Sequence, residues 1–322
     1  MQLHLIRSAA AALAFLAVSL SAHGLPTHTW VSPNGSNANS GTATSPYADF
    51  ATAVANTAAG GIVSVLGPGD YGPVTITQSI TIDGTGGGSI GFAGDGEGIY
   101  INAGANANIV LRNLTVDGGG TGQDAIYIAS TGTTNVINVV IDGCHIEGFT
   151  TIGVGLGSES PMYVTVENTT IQGGEIGVRT FQNGTVMPVT SYDHVSLDHV
   201  TIQGVNSSGS YDAGVFTRNG NVDISNSNIS GNNGSSVSGL EADTYATINA
   251  QNTVVTGNTE GVCIWTNSTL ILNNATIVDN ATNFEGCGGE VEGSGGEGPA
   301  PKGGAMPARV PNDPPKGKKP GL

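Results

Sequence analysis

The stretch LRNLTVDG at residues 111–118 indicates the fold of this 322-residue chain, because variants of it recur along the sequence. Its pattern is apolar, polar, Asn-like, two variable positions, Ile or Val, polar, Gly. The further copies are IDGCHIEG (141–148), VENTTIQG (166–173), LDHVTIQG (197–204), ISNSNISG (224–231), AQNTVVTG (250–257) and LNNATIVD (272–279). Counted from Ile82, the sixth positions lie 22 to 34 residues apart. Helical repeats keep a nearly fixed period, whereas a coil of short strands has a minimum circuit that loops can lengthen.

Each copy is followed by another short apolar segment, which often opens with Gly, as in GIYI (98–101), GVRT (177–180) and GVFT (214–217). One circuit therefore holds roughly three strands, and strands of successive circuits pair in parallel about 4.8 Å apart. The 51 glycines and the 11% of charged residues do not suit long helices. We predict an all-β protein, a single-stranded right-handed parallel β-helix of about 8–9 rungs with a short N-terminal capping helix.

The third position of the motif predicts the corner of the coil. It is occupied by residues that tolerate positive φ, namely Asn113, Gly143, Asn168, His199, Asn226, Asn252 and Asn274. A left-handed residue turns the chain sharply between two strands, and stacked amides can hydrogen-bond along the coil axis. We expect these asparagines to point inward, so the N-x-Ser/Thr sequences at three of them are not predicted to be glycosylated.

The two ends of the chain differ in composition from the body. Residues 1–24 have the pattern of a secretory signal, with Arg7 before an apolar run and small residues at its end. The body at 25–287 begins with a predicted cap helix at about 46–59, for which Ser45 is the N-cap. Residues 288–322 are rich in Gly and Pro and are predicted to be a disordered tail. We expect a protein that is secreted, periplasmic or on the cell surface, without membrane insertion after signal cleavage.

The net charge of the body limits the classes of molecule that it can bind. Residues 25–287 hold 21 acids and three bases, all arginines, so their net charge is 3 − 21 = −18. Such a segment repels phosphate backbones, so nucleic acid is not expected as a partner. We expect a monomer. The chain has three cysteines, which permit at most one intramolecular disulfide, and a Cys263–Cys287 pair is one option near the end of the body.

Residues 30–287 resemble a secreted bacterial right-handed parallel β-helix protein of the pectin-lyase-like superfamily. The segment YADFATAVANTAAGGIVSVLGPGDYG (47–72) is similar to the start of such proteins, with a capping helix, Gly-Gly, a strand and Pro-Gly-x-Tyr. The resemblance implies an elongated coil that often binds a polysaccharide along the strand face after each repeat. The superfamily also contains adhesins and inert scaffolds. The active-site strings of its polygalacturonase-like and alginate-epimerase-like members do not occur in this sequence.

Alternation along the strand after each repeat predicts a binding face. We expect the inward positions to be Ile99, Ile126, Ile176, Val215, Leu240 and Val262. The outward positions are then Tyr100, Tyr127, Gly177, Phe216, Glu241 and Cys263, followed two residues later by Asn102, Ala129, Arg179, Arg218, Asp243 and Trp265. Two arginines would thus be neighbours on successive rungs. Guanidinium groups bind carboxylates, and aromatic faces stack on sugars.

These positions supply the candidate site. Arg179 and Arg218 are the candidate catalytic residues, acting near the C5 proton of a uronate. The candidate substrate-binding residues are Tyr100, Tyr127, Phe216, Glu241, Asp243 and Trp265. An alternative interpretation is that the arginines only balance local charge on an acidic coil.

A column of carboxylates is a candidate calcium site. Asp142, Glu167 and Asp198 occupy the second motif position on consecutive rungs, and oxygen ligands suit Ca²⁺. The alternative is that these side chains fan apart into solvent. No cofactor is required by the sequence, and calcium is the one it suggests.

Two functions remain open from the sequence. One is an extracellular polysaccharide-binding β-helix, which would be a lyase if it is an enzyme, acting on acidic, uronate-containing glycans. The other is a non-enzymatic surface scaffold or adhesin-like solenoid. The absent signature strings favour the second function, and the predicted face of arginine, aromatic and acidic residues favours the first.

Overall fold

The computed structural model describes residues 24–130, 136–158, 161–182, 193–206, 212–285 and 287–294. The predicted signal segment therefore lies outside the described residues except for Gly24, and so does the predicted tail from residue 295. Within the described part of the chain, no helix is long and apolar enough to cross a membrane.

One parallel sheet runs the length of the coil and contains the first strand of each rung. Its strands, numbered in chain order over the whole molecule, are β1 (His28–Val31), β2 (Gly61–Val65), β5 (Ile80–Asp83), β8 (Asn108–Arg112), β10 (Ile137–Asp142), β12 (Met162–Glu167), β15 (Asp193–Asp198), β18 (Gly220–Ser225), β21 (Thr247–Gln251), β24 (Thr269–Asn273) and β27 (Glu290–Ser294). We call its outer side the first face.

The second and third faces belong to one further sheet, because two long strands bend around the corner between them. These two are β9 (Thr115–Ser130) and β11 (His145–Ser158). The other second-face strands are β3 (Gly69–Asp70), β6 (Gly88–Gly91), β13 (Thr170–Gln172), β16 (Thr201–Gln203), β19 (Asn228–Ser230), β22 (Val254–Thr256) and β25 (Thr276–Val278). The other third-face strands are β4 (Val74–Ile76), β7 (Glu97–Ile101), β14 (Ile176–Gln182), β17 (Ala213–Arg218), β20 (Ser238–Asp243), β23 (Glu260–Ile264) and β26 (Thr282–Glu285).

The predicted parallel β-helix is confirmed. All strand pairs of the first sheet are parallel, and apolar residues at equivalent positions stack in register, such as Ile141 on Val166 and Val166 on Leu197. These side chains are fully buried inside the coil. With β9 and β11 counted on both faces, the second and third faces each have nine strands in the described residues, in agreement with the predicted number of rungs.

The corner between the first and second faces forms as predicted. The seven predicted positions all have φ between 47° and 63°: Asn113, Gly143, Asn168, His199, Asn226, Asn252 and Asn274. The expectation that the asparagines point inward is wrong, because their side chains are exposed. They still bond along the axis on the outside, where Asn274 Nδ2 donates to Asn252 Oδ1 at 2.7 Å and Asn252 Nδ2 donates to Asn226 Oδ1 at 3.3 Å.

A second asparagine ladder lies inside the coil, at the corner between the second and third faces, and the repeat motif did not reveal it. Asn232 is fully buried, and Asn258 Oδ1 accepts a hydrogen bond from its backbone amide at 3.1 Å. On the next rung, Asn280 Oδ1 accepts from the Asn258 amide at 3.0 Å and from Asn258 Nδ2 at 2.8 Å. The ladder satisfies backbone groups at a bend where no strand partner is available.

Glycines allow the third-face strands to follow this bend. A Cβ on Gly177 would lie 2.5 Å from the carbonyl oxygen of Gly214 on the next rung, and a Cβ on Gly214 would lie 2.8 Å from that of Gly239. No other residue type fits such contacts without displacement of the backbone. This close approach explains the Gly-Val pattern that opens these strands.

The N-terminal cap is shorter than predicted. Helix α1 covers Phe50–Ala55, and its N-cap is Asp49, whose Oδ1 accepts from the Thr52 amide at 2.7 Å, and not Ser45. The residues before Asp49 are not helical because Tyr47 pairs with the first strand, where it donates to the Trp30 carbonyl at 2.9 Å.

The C-terminal boundary at residue 287 also needs correction. Glu290–Ser294 form β27, which pairs in parallel with β24, and Val291 packs against the core. The pairing uses the backbone and needs only one apolar side chain, so the composition of this segment did not indicate it. Just before it, Cys263 and Cys287 form a disulfide, while Cys144 is buried as a free thiol.

The carboxyl group of Asp193 is buried inside the coil. Asp193, the first residue of β15, is 0% exposed, and its Oδ1 accepts from the Met162 amide at 3.0 Å. Its Oδ2 has no hydrogen-bond partner among the described residues. Burial raises the pKa of Asp193 to about 7, since the charged form loses its hydration.

We predict that the corner conformation can be tested at Asn226, whose φ is 50°. Changing Asn226→Ala should lower the free energy of unfolding by about 1–2 kcal/mol, because alanine lacks the short polar side chain that makes positive φ tolerable for asparagine and loses the bond from Asn226 Nδ2 to Asp198 Oδ1. Asn226→Gly is the matched control and should cost less, as Gly143 occupies the equivalent position naturally. Urea unfolding measures both, and equal effects of the two changes would contradict the role of backbone strain.

We predict that Asp193 lowers stability as the pH rises. Because its folded-state pKa is about 7 and the ordinary value is 3.8, the native state binds more protons than the unfolded state between these values. Stability should therefore fall from pH 4 to pH 7, at a slope of up to about 1.4 kcal/mol per pH unit. Asp193→Asn should unfold at higher urea concentration than the wild type at pH 8 and at a similar one at pH 4. A difference that does not depend on pH would show that Asp193 is not protonated in the core.

Candidate functional site

The outer side of the third face carries the predicted site residues in two columns that follow the coil axis. The first column is Tyr100, Tyr127, Gly155, Arg179, Phe216, Glu241 and Cys263. The second column is Ala129, Gly157, Phe181, Arg218 and Asp243. Their inward neighbours Val178, Val215 and Leu240 belong to the core, so both columns face away from it.

The predicted alignment of the two arginines is wrong by two residues. Arg179 is aligned with Phe216, and the residue beside Arg218 is Phe181. Ile176, which was expected to face the core, is aligned with Ala213 and belongs to a small cluster outside it. The Gly-Val pairs at 177–178 and 214–215 set this alignment, because the glycines must stack at the bend.

Phe181 lies between the two arginines and contacts both. The Arg179 guanidinium carbon lies 5.8 Å from the centre of the Phe181 ring, and that of Arg218 lies 5.2 Å from it. A cation over a ring face is held by the electrostatic field of the ring. The structure therefore brings the two predicted arginines to one aromatic ring, although on different columns.

The two arginines differ in their charge partners. Arg218 is bound by Asp243, which accepts from Arg218 Nε at 2.8 Å and also from Nη2. The third arginine of the body, Arg112, pairs with Asp83 at 2.9 Å on another face. Arg179 has no ion-pair partner within 4.0 Å among the described residues, and its Nε is buried without a hydrogen-bond partner there. Among the three arginines of the body, Arg179 is thus the one without a carboxylate partner in the described part of the chain.

Tyr127 forms a flat aromatic surface next to Arg179. Its ring extends over the following rung, where a Cβ on Gly155 would lie 3.0 Å from Cδ2 and a Cβ on Gly157 would lie 1.9 Å from Oη. Only two consecutive outward glycines leave room for the ring to lie this way. Tyr127 is also stacked on Tyr100, with ring centres 6.3 Å apart and planes 10° from parallel.

Asp124, three residues before Tyr127, was missed by the sequence analysis. Its Oδ1 is buried and has no hydrogen-bond partner among the described residues. Burial raises its pKa, Arg179 opposes the rise, and Glu97 and Glu175 add to it. The sequence signal for this residue is weak, because Asp124 occupies a position that is apolar on the next two rungs, at Ile152 and Ile176.

Three predicted substrate contacts are less accessible than expected. Phe216 is 2% exposed and Glu241 is 0% exposed, so neither offers a surface to a glycan in this structure. Trp265 is half-buried, and its Nε1 donates to Glu241 Oε1 at 2.8 Å. Alternation along a strand does not report what else packs over a face.

The carboxylate column forms, but without the geometry of a metal site. Asp142, Glu167 and Asp198 are aligned on consecutive strands of the first face. Two of them bind neighbouring side chains of the coil, since Asp142 Oδ1 accepts from Asn168 at 2.8 Å and Asp198 Oδ1 accepts from Ser225 at 2.7 Å. Such bonds hold the pKa of Asp198 at about 2. In the part of the chain that the structure describes, no group of three or more acidic, His or Cys residues could hold a metal ion.

A shallow cleft opens at the N-terminal end of the same face. It has a volume of about 390 Å³ and is lined by Glu97 and Tyr100 together with Val74 and residues around it. Tyr100, which stacks on Tyr127, is the residue of the first column that lines this cleft. Along the first column, Tyr100, Tyr127, Gly155 and Arg179 follow one another from this cleft.

Comparisons with known proteins identify the fold. The chain is similar to the crystal structure of pectate lyase Pel9A, with a TM-score of 0.58 and 15% identity over 83% of this chain and 76% of that one. The A-module of mannuronan C-5 epimerase AlgE6 from Azotobacter vinelandii gives a TM-score of 0.28 and 16% identity, over 74% of this chain and 91% of that one. No protein-family model and no curated sequence matches. The chain has a pectin-lyase-like parallel β-helix fold.

Proposed function

We propose that the protein is a carbohydrate-active β-helix that binds an acidic, uronate-containing polysaccharide along its third face. The observation that carries the proposal is the state of Arg179, a cation without an ion-pair partner among the described residues of a body whose net charge is 3 − 21 = −18. A carboxylate supplied by a ligand would complete its charge-assisted hydrogen bonds.

Aromatic and acidic groups around Arg179 fit the rest of a sugar residue. The Tyr127 ring lies beside it as a platform for the apolar face of a pyranose, and Tyr100 extends the platform by one rung. A glycan placed on these residues runs along the coil axis, from the cleft at Glu97 toward Phe181.

The similarity to a pectate lyase is consistent with a polyuronate as the ligand, although at 15% identity it identifies the fold and not the substrate. Of the two predicted arginines, Arg218 has a supporting role here. Its charge is paired with Asp243, and its guanidinium lies over the Phe181 ring. No step of the proposed function uses calcium, because two of the three predicted ligands, Asp142 and Asp198, accept hydrogen bonds from residues of the first corner and the next rung.

A secreted, periplasmic or surface location belongs to the same proposal. It depends on the sequence pattern of residues 1–24, and a polysaccharide ligand is most abundant outside the cytoplasm. The second candidate function, a non-enzymatic scaffold, is favoured by the burial of Phe216 and Glu241, which removes two of the predicted glycan contacts.

We expect Arg179→Ala to weaken binding of oligogalacturonate or oligomannuronate by about ten- to a hundredfold, because one charge-assisted contact contributes about 1.5–3 kcal/mol. Isothermal titration calorimetry of both oligomers at low salt measures the effect. The fold should be unchanged by far-UV circular dichroism, since the Arg179 side chain is outside the core.

Arg112→Ala is the matched control for the loss of one positive charge. It lies on the first face, where it pairs with Asp83, and should bind like the wild type. A neutral oligosaccharide of the same length should bind the wild type more weakly than the acidic one. If the wild type binds neither polyuronate, the proposal is wrong and the scaffold function takes its place.

A further inference from the structure

We propose that the Cys263–Cys287 disulfide is a redox-sensitive clasp. It holds the last strand, β27, on the end of the coil, and it releases this strand when a dithiol reduces the bond. The inference is independent of the proposed function, since it concerns the closure of the C-terminal end of the coil and not the binding of a glycan.

Strand β27 makes few contacts of its own. It is the last strand of the first sheet, so it pairs with one neighbour, β24, where strands β2 to β24 of that sheet have two. Of its described side chains, Glu290 and Glu292 are exposed, and Val291 is the one that packs against the core. An edge strand with so little buried apolar surface opens easily on its own. Its position therefore depends on the segment that precedes it.

The disulfide ties that segment to a complete rung of the coil. Cys263 is 2% exposed and belongs to β23, which pairs with β20 on one side and β26 on the other. Cys287 lies three residues before β27. Between them and the strand, the Gly289 amide donates to the Ile264 carbonyl at 2.7 Å. The covalent link keeps this contact closed and so keeps Glu290 beside its partner Thr269.

The strand under β27 explains why its release matters. Strand β24 has the sequence Thr-Leu-Ile-Leu-Asn, without a charged residue; Leu270 is fully buried and Leu272 partly buried. When β27 leaves, the backbone N–H and C=O groups on that side of β24 lose their partners. An uncharged edge of this kind pairs with other chains, whereas exposed charges on an edge strand prevent such pairing. The clasp thus keeps an edge with two glutamates in front of an edge with none.

Exposure makes Cys287 the sulfur at which the bond is opened, because Cys287 is partly exposed and Cys263 is buried. A thiolate of the dithiol attacks Cys287 Sγ, the Sγ–Sγ bond breaks, and Cys263 leaves as a thiolate. The second thiol of the dithiol then breaks the mixed disulfide and releases Cys287. The dithiol loses two electrons and becomes a disulfide, and its two protons end on the two cysteine thiols. Since disulfides form in oxidising compartments, the coil closes at this end only there.

Hydrogen–deuterium exchange of the full chain, followed by mass spectrometry with and without dithiothreitol, tests the clasp. We expect reduction to speed the exchange of peptides that contain β24 and β27 by about tenfold or more, because these amides lose a contact that the cross-link stabilises. Peptides from β10 and β12, in the middle of the coil, should exchange at the same rate in both states. Their unchanged protection also shows that the reduced chain is folded.

The double change Cys263→Ser with Cys287→Ser removes the bond at any redox state. It should show the faster exchange of β24 without dithiothreitol and no further change when dithiothreitol is added. Cys144→Ser, which removes the buried free thiol, is the matched control and should respond like the wild type. Slow exchange of β24 in the double variant would overturn the inference, since β27 would then stay in place without the bond. Faster exchange along the whole coil, β10 included, would overturn it as well, because the bond would then stabilise the entire fold and not one strand.

Discussion

The structure depends on one constraint, which is that every rung must return to the same backbone register about 4.8 Å further along the axis. Parallel hydrogen bonding between rungs meets this requirement only if each corner turns the chain by the same amount. Left-handed residues do so at the first corner, as at Asn168 and Asn226. At the second corner, stacked glycines such as Gly177 and Gly214 bring the backbones of successive rungs together. The buried side-chain amides of Asn232 and Asn258 accept hydrogen bonds from backbone amides that have no strand partner at this bend.

The same constraint arranges the candidate site. Because the third-face strands are aligned at their glycines, Arg179 lies in the column of the tyrosines, and Phe181 lies beside Arg218. Gly155 and Gly157 lie in these two columns on one rung and leave the space that the Tyr127 ring fills. The positions of these site residues thus follow from the stacking of rungs. Neighbouring residues of one column are therefore separated by the distance between adjacent strands.

The excess of acidic residues in the body explains how its arginines are paired. Arg112 and Arg218 are each held by an aspartate, as is expected where acids outnumber bases by seven to one. Arg179 instead has an aromatic neighbour and a distant carboxylate, Asp124, that it influences without a direct bond. The arrangement keeps one cation available on a surface that otherwise repels anions, which favours a ligand that carries its negative charge at a defined position.

The repeat motif was sufficient to predict the fold, since a corner residue with positive φ is a local property that a sequence pattern reports directly. It did not predict the direction of Asn226, because a corner residue can place its amide on either side of the turn. The error at Arg179 arose because Ile176 is as apolar as Val178, and only the neighbouring Gly177 distinguishes them. Three features depend on contacts between rungs, which no single segment of the sequence contains. They are the burial of Glu241, the pairing of Arg218 with Asp243, and the position of Asp124.

A crystal structure of the protein with a bound uronate oligomer tests the account most directly. We expect the oligomer to lie along the coil axis on the third face, with one carboxylate at the Arg179 guanidinium and the ring of that sugar over Tyr127. An oligomer bound on the first face beside Arg112, or one on the third face whose carboxylates avoid Arg179, would contradict it.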